Sequence, residues 1–380
     1  MIAPGAWLGV LGGGQLGRMF AMAAHRLGYR VAVVDPDPDC PASGVVDHHI
    51  CATLGDYAAW QELAKVCAAV TIETECAPAE SLRFLARHLR VAPDATALEI
   101  AQNRALEKHF LSSNDFPVAP YRTLTLPEDM LAPNVGALLP GLLKTSRFGY
   151  DGKGQIHVAS QAQLKQAFDE LGGPCVLEKQ LQLSAELSVI LARSDGGGVA
   201  VYPVPLNHHK RGILDLSVVP APVPAALRRK AVTLARQIAE TLNYHGVLCV
   251  EFFLTEVGQL LVNEIAPRPH NSGHFTIDAC RTSQFEQQVR VLAGLPLGDP
   301  GMLLHKGGIA MVNLLGDIWA GDEPHWNIVL AHPQARLHLY GKQMPRSGRK
   351  MGHITCVAES TDEAVEAATS IRSQLVVNHA

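Results

Sequence analysis

Residues 6–35 constrain the fold of this chain more than any other stretch. An apolar run, AWLGVL, leads into Gly12-Gly13-Gly14. A helical pattern follows from about Leu16 to Leu27, and a second apolar run, RVAVVD, closes the unit. Strand, glycine turn, helix and strand in that order form a βαβ unit, so the two strands lie parallel in one sheet with a right-handed crossover. VCAAVTIETE, around residues 66–75, reads as a later strand of this sheet, with ESLRFLARHL as the helix after it. The glycines fit G-x-G-x-x-G through Gly17, and Asp35 ends the second strand. Glycines there permit a tight turn, and free N–H groups at the helix start attract an anion. Three readings stay open: a site for NAD or FAD, an anion site for another phosphorylated ligand, and a tight turn with no ligand.

At 380 residues the chain is long enough for two or three domains. We place them at 1–105, 106–300 and 301–380, the first boundary falling where a proline-punctuated segment crosses residues 95–120. In the second region GALLPGLLKTS, CVLEKQL, ELSVILAR, GVAVYPV, VLCVEFFL and QLLVNEIA are strand-like, and ALRRKAVTLARQIAETLN is an amphipathic helix. Successive strands without intervening helices favour an antiparallel sheet, so the fold class is α/β at the N-terminus and α+β beyond it. The third region holds GIAMVNLLG, ARLHLYG and KMGHITCVA as strands and TDEAVEAATSIRSQL as a terminal helix. A hydrophobic content of 47% supports a packed core, and a net charge of 32 − 36 = −4 argues against a dedicated nucleic-acid partner. No apolar run approaches the roughly 18 to 20 residues of a membrane helix. The N-terminus lacks a basic leader, and eight scattered cysteines make no CxxC. The expectation is a cytoplasmic protein with inert thiols.

Chemistry concentrates in the middle region. Lys144 ends an apolar strand and precedes a loop with Gly149, Gly152 and Gly154 among cations, hydroxyls and one carboxylate. Such a loop can fold over a triphosphate, with backbone N–H groups and Lys153 near the transferred phosphoryl; an ordinary polar hairpin is the alternative. Farther on, VLCVEFFL and QLLVNEIA flank a turn at Thr255-Glu256-Val257-Gly258. A hairpin centred between Val257 and Gly258 pairs residues whose numbers sum to 515, as Glu251 and Glu264 do. Two carboxylates directly opposite repel unless compensated, and a hard dication such as Mg²⁺ with oxygen ligands compensates them. In that register Phe253 and Val262 share the glutamates' face. The other reading is two unrelated glutamates on a solvated face. The polar run Arg268-Pro269-His270-Asn271-Ser272-Gly273-His274 then leaves the strand bearing Glu264 and carries Arg268, His270 and Asn271 toward the same place. No HExxH occurs, which disfavours zinc.

Five segments in order, GGGQLGRM, QNRALEKHFL, GYDGKGQ, the pair EFF…NEIAPRPHNSGH and GKQMPRSGRKMGH, resemble the N5-carboxyaminoimidazole ribonucleotide synthases of the ATP-grasp superfamily. The resemblance implies an ATP-grasp fold with a Rossmann-like N-terminal domain and a small β-rich C-terminal one. It implies that ATP, bicarbonate and 5-aminoimidazole ribonucleotide yield ADP, phosphate and the N5-carbamate by way of carboxyphosphate, with Mg²⁺, in a homodimer. On the matching positions, Arg104 and Lys144 would meet ATP phosphates, with Lys108 a possible neighbour, and Gly149-Tyr150-Asp151-Gly152-Lys153-Gly154-Gln155 would close over them. The segment Glu178-Lys179-Gln180-Leu181 resembles the hinge that reads adenine, Glu186 the ribose ligand, and His209 a residue lining the ATP site. Glu251 and Glu264 resemble the metal ligands, with Asn263 beside them. Strict strand alternation points Asn263 to the opposite face, so a metal-facing Asn263 requires a bulge. Tyr150, Asp151, Lys153, Arg268, His270 and Asn271 would meet the ribonucleotide, Lys342 and Arg349 its phosphate, and Gln15 and Glu73 are further candidates.

Lys342 and Arg349 also sum to 691, the register of a turn centred between Pro345 and Arg346. Two facing cations suit an anion between them, and a solvated basic hairpin tip is the plainer reading. Other ATP-grasp ligases, such as a formate-dependent glycinamide ribonucleotide transformylase or a biotin carboxylase, remain rivals. So does a nicotinamide or flavin oxidoreductase resting on the N-terminal glycines.

Overall fold

The βαβ expectation is met in the computed structural model, which describes residues 1–147, 149, 153–304 and 306–376. Strands β1 (Trp7–Leu11), β2 (Arg30–Asp35), β3 (His48–Cys51), β4 (Ala69–Ile72) and β5 (Arg90–Val91) form an all-parallel sheet in the order β3-β2-β1-β4-β5. Helices α1 (Gln15–Arg26), α2 (Tyr57–Val66) and α3 (Ala79–Leu85) connect them. Then α4 (Ala95–Gln102) and α5 (Arg104–Ser113) lead out of the unit. Asn103 separates these two helices: its side chain accepts from the N–H groups of Ala105 and Leu106 and so caps the start of α5.

A four-stranded antiparallel sheet follows, ordered β6-β9-β7-β8. It contains β6 (Tyr121–Leu124), β7 (Gly141–Thr145), β8 (Gln155–Val158) and β9 (Cys175–Lys179), with α6 (Gln161–Leu171) between the last two. Leu143, Val158 and Leu177 of the sheet bury Leu164 and Phe168 of α6. The expected strand GALLPGLLKTS is shorter than its apolar run. Residues 136–138 form a 3-10 turn and β7 starts only after Pro140, which has no N–H to give to a ladder.

The remaining strands form one nine-stranded antiparallel sheet. They are β10 (Leu183–Arg193), β11 (Val199–Val201), β12 (Leu206–Lys210), β13 (Ile213–Val219), β14 (Gly246–Thr255), β15 (Leu260–Ala266), β16 (Gly308–Leu315), β17 (Ala335–Leu339) and β18 (Lys350–Ala358). Their order is β15-β14-β10-β12-β13-β16-β18-β17, with β11 beside β10. Because β13 pairs with β16, the C-terminal strands continue the ladder of the middle region. Helix α7 (Ala225–Thr241) buries Ala231, Ala235 and Ile238 against Leu187, Val189 and Leu248. Helices α8 (Thr276–Ala279), α9 (Gln284–Leu292), α10 (Trp326–Leu330) and α11 (Thr361–Gln374) complete the chain. Among the described residues no helix is long and apolar enough to cross a membrane.

Candidate active site

Glu251 and Glu264 pair directly across β14 and β15, in the register that sums to 515. The route to that register differs from the expected one. Near the turn, Leu254 pairs with Leu260 and Phe252 with Val262, so the hairpin is centred on Val257, one half-step from expectation. A bulge at Asn263 then adds one residue and restores the pairing. It also moves Val262 off the glutamates' face into the core beside Phe252, which corrects the expectation that Val262 flanks the pair. The same bulge turns Asn263 toward Glu251, its Nδ2 lying 3.5 Å from Glu251 Oε2. Burial, with the charge of Glu264 next, pushes the Glu251 carboxyl up to about 7. Asn263 Oδ1 is buried without a partner among the described residues. Two carboxylates and an unpartnered carboxamide oxygen form an all-oxygen donor set that fits a hard dication such as Mg²⁺.

A cluster of cations lies beside them. Lys144 Nζ donates to Glu178 Oε2 at 3.0 Å; Lys108 Nζ and an Arg104 guanidinium nitrogen lie 3.6 and 3.8 Å from Glu178 Oε1. Glu178 is 3% exposed. Burial alone would raise its carboxyl, but Lys108, Lys144 and Arg104 hold it down at about 2. Burial pulls Lys144 down, with Glu178 opposing. Arg104 bridges the two groups, since its other nitrogen is 3.3 Å from Glu264 Oε2. Glu178 thus commits its carboxylate to the cations, while Lys179 and Gln180 are tied through their N–H groups to Pro120 and Pro140. Leu181, partly buried, follows them. Lys108 was expected as a possible phosphate neighbour, but it is 0% exposed and its ammonium also donates to the carbonyl of Asn263 at 3.0 Å.

The neighbouring strands add polar groups to the same face. His209 Nδ1 lies 3.1 Å from Glu186 Oε2, and this contact overcomes burial to raise the imidazole's pKa. Ser188 pairs with Glu251 across β10 and β14, and its hydroxyl heads a row that sequence reasoning missed. Ser217 Oγ donates to Asn207 Oδ1, Asn207 Nδ2 to Ser188 Oγ, and Ser188 Oγ to Ser272 Oγ, at 2.6 to 2.8 Å. The signal was present: polar residues at buried, alternating strand positions. Ser272 Oγ in turn lies 2.8 Å from His270 Nδ1, so the 267–274 segment is pinned to the sheet. His270 Nε2 is 3.5 Å from Glu251, and burial keeps this ring well below the usual histidine range. Asn271 is 7% exposed, with both carboxamide atoms buried and unpartnered among the described residues, as suits a group awaiting a ligand. Arg268 is held by Glu75 at 2.7 Å.

His274 turns instead into the core, hydrogen-bonded to Gln284 and beside His353. Among the described residues Asp278, His338 and His353 have metal-like spacing. The rings of His338 and His353 are stacked at 10° and 4.5 Å, so their in-plane lone pairs run parallel and do not converge on one ion.

In the N-terminal loop the anion is the chain's own. Gly14 and Gly17 donate their N–H groups to the carboxylate of Glu73 at 2.7 and 2.8 Å, and Gly13 donates to Asp35 at 2.7 Å. The loop's N–H groups and Asp35, which ends β2, are thereby engaged with one another, which disfavours the dinucleotide reading. The glycine requirement follows: at Gly12, φ is +103° and a Cβ would sit 2.4 Å from Glu73 Cγ.

Gln15, next in the loop, accepts from Lys342 Nζ at 2.6 Å, and Lys342 also donates to the carbonyl of Lys350. The 691 register is realised where β17 pairs with β18, at Leu339 and Gly352. The turn differs from expectation. Arg349 N–H returns to the carbonyl of Arg346, and Asp317 anchors Ser347 and Gly348. Arg349 itself donates to the carbonyl of Met344. Gly149 and Lys153 are exposed, and Gly154 and Gln155 are partly so at the start of β8. The expectations for Tyr150, Asp151 and Gly152 lie outside the described residues.

Residues 6–102 match the ribonucleotide synthetase preATP-grasp domain, 109–285 the ATP-grasp domain, and 309–367 the phosphoribosylaminoimidazole carboxylase C-terminal domain. The N5-carboxyaminoimidazole ribonucleotide synthase of Bacillus subtilis (strain 168) is 44% identical over 371 residues, covering 97% of this chain and 96% of the relative. The chain belongs to the N5-carboxyaminoimidazole ribonucleotide synthase family. The synthase of Pseudomonas aeruginosa PAO1 is 40% identical, over 94% of this chain and 96% of its own. Among solved structures of N5-carboxyaminoimidazole ribonucleotide synthases, an ADP complex superposes with a TM-score of 0.90 at 39% identity, covering 98% and 97% of the two chains. The Aspergillus clavatus synthase in complex with ADP and 5-aminoimidazole ribonucleotide gives 0.88 at 33%, covering 98% of each.

Proposed function

We propose that this chain is an ATP-dependent ligase that carboxylates 5-aminoimidazole ribonucleotide to its N5-carbamate in purine biosynthesis, releasing ADP and phosphate. The observation that carries the reading is Arg104, whose guanidinium spans the Glu251–Glu264 carboxylates and the Lys144–Glu178 cluster. Cations for a polyphosphate thereby adjoin oxygen ligands for its dication, the arrangement phosphoryl transfer needs. Glu251, Glu264 and Asn263 would hold Mg²⁺, which supplies charge neutralisation at the phosphates when bound. Arg104 and Lys144 orient the phosphate chain, and by family motif the glycine loop from Gly149 to Gln155 would close over it. Lys179 to Leu181 would read the adenine, with Glu186 and His209 at the ribose. Bicarbonate oxygen takes the γ-phosphoryl, and the amine of the ribonucleotide then takes the carboxyl carbon. Arg268, His270 and Asn271 line that side, with Tyr150, Asp151 and Lys153 assigned there by family motif. The same reading includes a cytoplasmic homodimer, the family's usual state.

Phosphate release tests this. It should require both bicarbonate and 5-aminoimidazole ribonucleotide, and glycinamide ribonucleotide with formate should not substitute. Release with the latter pair alone would transfer the chain to another ATP-grasp reaction.

Lys342 and Arg349 are assigned to the ribonucleotide phosphate, supported by the contact of Lys342 with the N-terminal loop. Arg349→Ala should raise KM for the ribonucleotide at least about tenfold, ~1.4 kcal/mol, and leave KM for ATP within about twofold. Steady-state kinetics with each substrate varied would expose the opposite pattern.

A further inference from the structure

We propose that Glu107 and Lys108 are positioning residues for the dication site: they grip the backbone on either side of Glu264 and hold the bulge that brings Asn263 and Glu264 to Glu251. The inference rests on the metal reading of those carboxylates given above.

Strand β15 lies at the edge of its sheet, so its outward peptide groups have no strand to pair with. The chain covers this edge with other groups. Val262 N–H donates to the carbonyl of Pro117 at 2.7 Å. Farther along are the carbonyl of Asn263 and the N–H of Ile265, which flank Glu264. Lys108 Nζ donates to the former at 3.0 Å, and Glu107 Oε1 accepts from the latter at 2.6 Å. One turn earlier on α5, Arg104 reaches the Glu264 carboxylate itself at 3.3 Å. Residues 104, 107 and 108 stand at i, i+3 and i+4, one face of a helix started by the Asn103 cap. Both gripping side chains are buried, at 3% and 0% exposure.

The grip falls where the ladder itself is silent. A bulge leaves one residue without a cross-strand partner, so pairing with β14 does not fix where the Asn263 peptide lies. A helix that holds the carbonyl before Glu264 and the N–H after it does fix that peptide. It therefore sets the direction of two proposed ligands. The QNRALEKHFL segment, of which the proposed reaction uses only Arg104, has its explanation in this contact.

The test measures Mn²⁺ binding to the full-length enzyme with ADP, following the free-Mn²⁺ paramagnetic resonance signal. Glu107→Met should weaken Mn²⁺ at least about tenfold, the usual effect of removing a group that orients a metal ligand. Glu107→Gln keeps an acceptor for Ile265 N–H and should stay within about threefold. The double variant Glu107→Met/Glu264→Gln should be weakened by clearly less than the two single effects combined, because Glu107 acts in part through Glu264; independent structural damage would combine in full. If Glu107→Met does not fold, Glu107→Asp, too short to reach the N–H, carries the same expectation. Wild-type Mn²⁺ affinity in these variants, with Glu264→Gln weakened, overturns the grip and leaves the metal reading standing. Wild-type affinity in Glu264→Gln overturns the metal reading and this inference with it.

Discussion

Glu264→Gln, like Glu251→Gln, is expected to lower kcat by at least about 10²-fold at saturating Mg²⁺, ~2.7 kcal/mol of transition-state stabilisation. The fold should survive. The motive is the direct pairing of the two carboxylates on adjacent strands, which is unfavourable for the protein without a cation. Glu251 shows the strain in its protonation: burial, with Glu264 next, raises it to about 7. A carboxyl raised in the folded state contributes fully below its unfolded pKa, near 4.3, and loses that contribution as pH rises through about 7. Metal-free Glu251→Gln should therefore melt at the same temperature as wild type near pH 4 and higher at pH 8. Calorimetry at the two pH values, with turnover measured alongside, checks both halves. Undiminished turnover in either variant would remove the pair from the chemistry.

The second large effect is on stability. Glu178→Gln should cost about 3–5 kcal/mol at neutral pH, because it leaves Lys144, Lys108 and Arg104 buried around an uncharged amide. Here the folded pKa is depressed to about 2, so the sign reverses. The contribution is present above the unfolded value near 4.3 and is lost as pH falls through about 2. The gap between wild type and variant should be constant from pH 6 to 8 and narrow at pH 3. Urea denaturation at each pH gives the comparison; equal midpoints at neutral pH would show that water already screens the cations.

The sequence and the structure agree most closely where local pattern and site coincide. Hydrophobic periodicity and the glycine turn were enough for the parallel N-terminal sheet, and the pairing of Glu251 with Glu264 was legible from one turn and an addition. That addition held because two departures cancelled: the turn is centred on Val257, and Asn263 bulges. Neither shows in alternation alone, although the chemistry wanted from Asn263 required the second. Strand β12 was not recognised, since LNHHK has no apolar alternation. Its polar residues face the site and the buried row through Asn207, so function overrides the pattern that marks a strand. Lys108 reads as a possible neighbour of the phosphates because residue type and neighbourhood are local, whereas its target, the Asn263 carbonyl, is 155 residues away.

Glu73 has a consequence for how the N-terminal unit assembles. Loops of this kind in dinucleotide enzymes leave their amides waiting for a diffusible pyrophosphate, so part of their order is borrowed from the cofactor. In this chain the counter-ion is covalently attached, delivered by the residue after β4 whenever the sheet forms. Gly14 and Gly17 are satisfied at the moment of folding, whatever the metabolite concentration. The glycine turn is self-contained, and its order does not wait on a ligand.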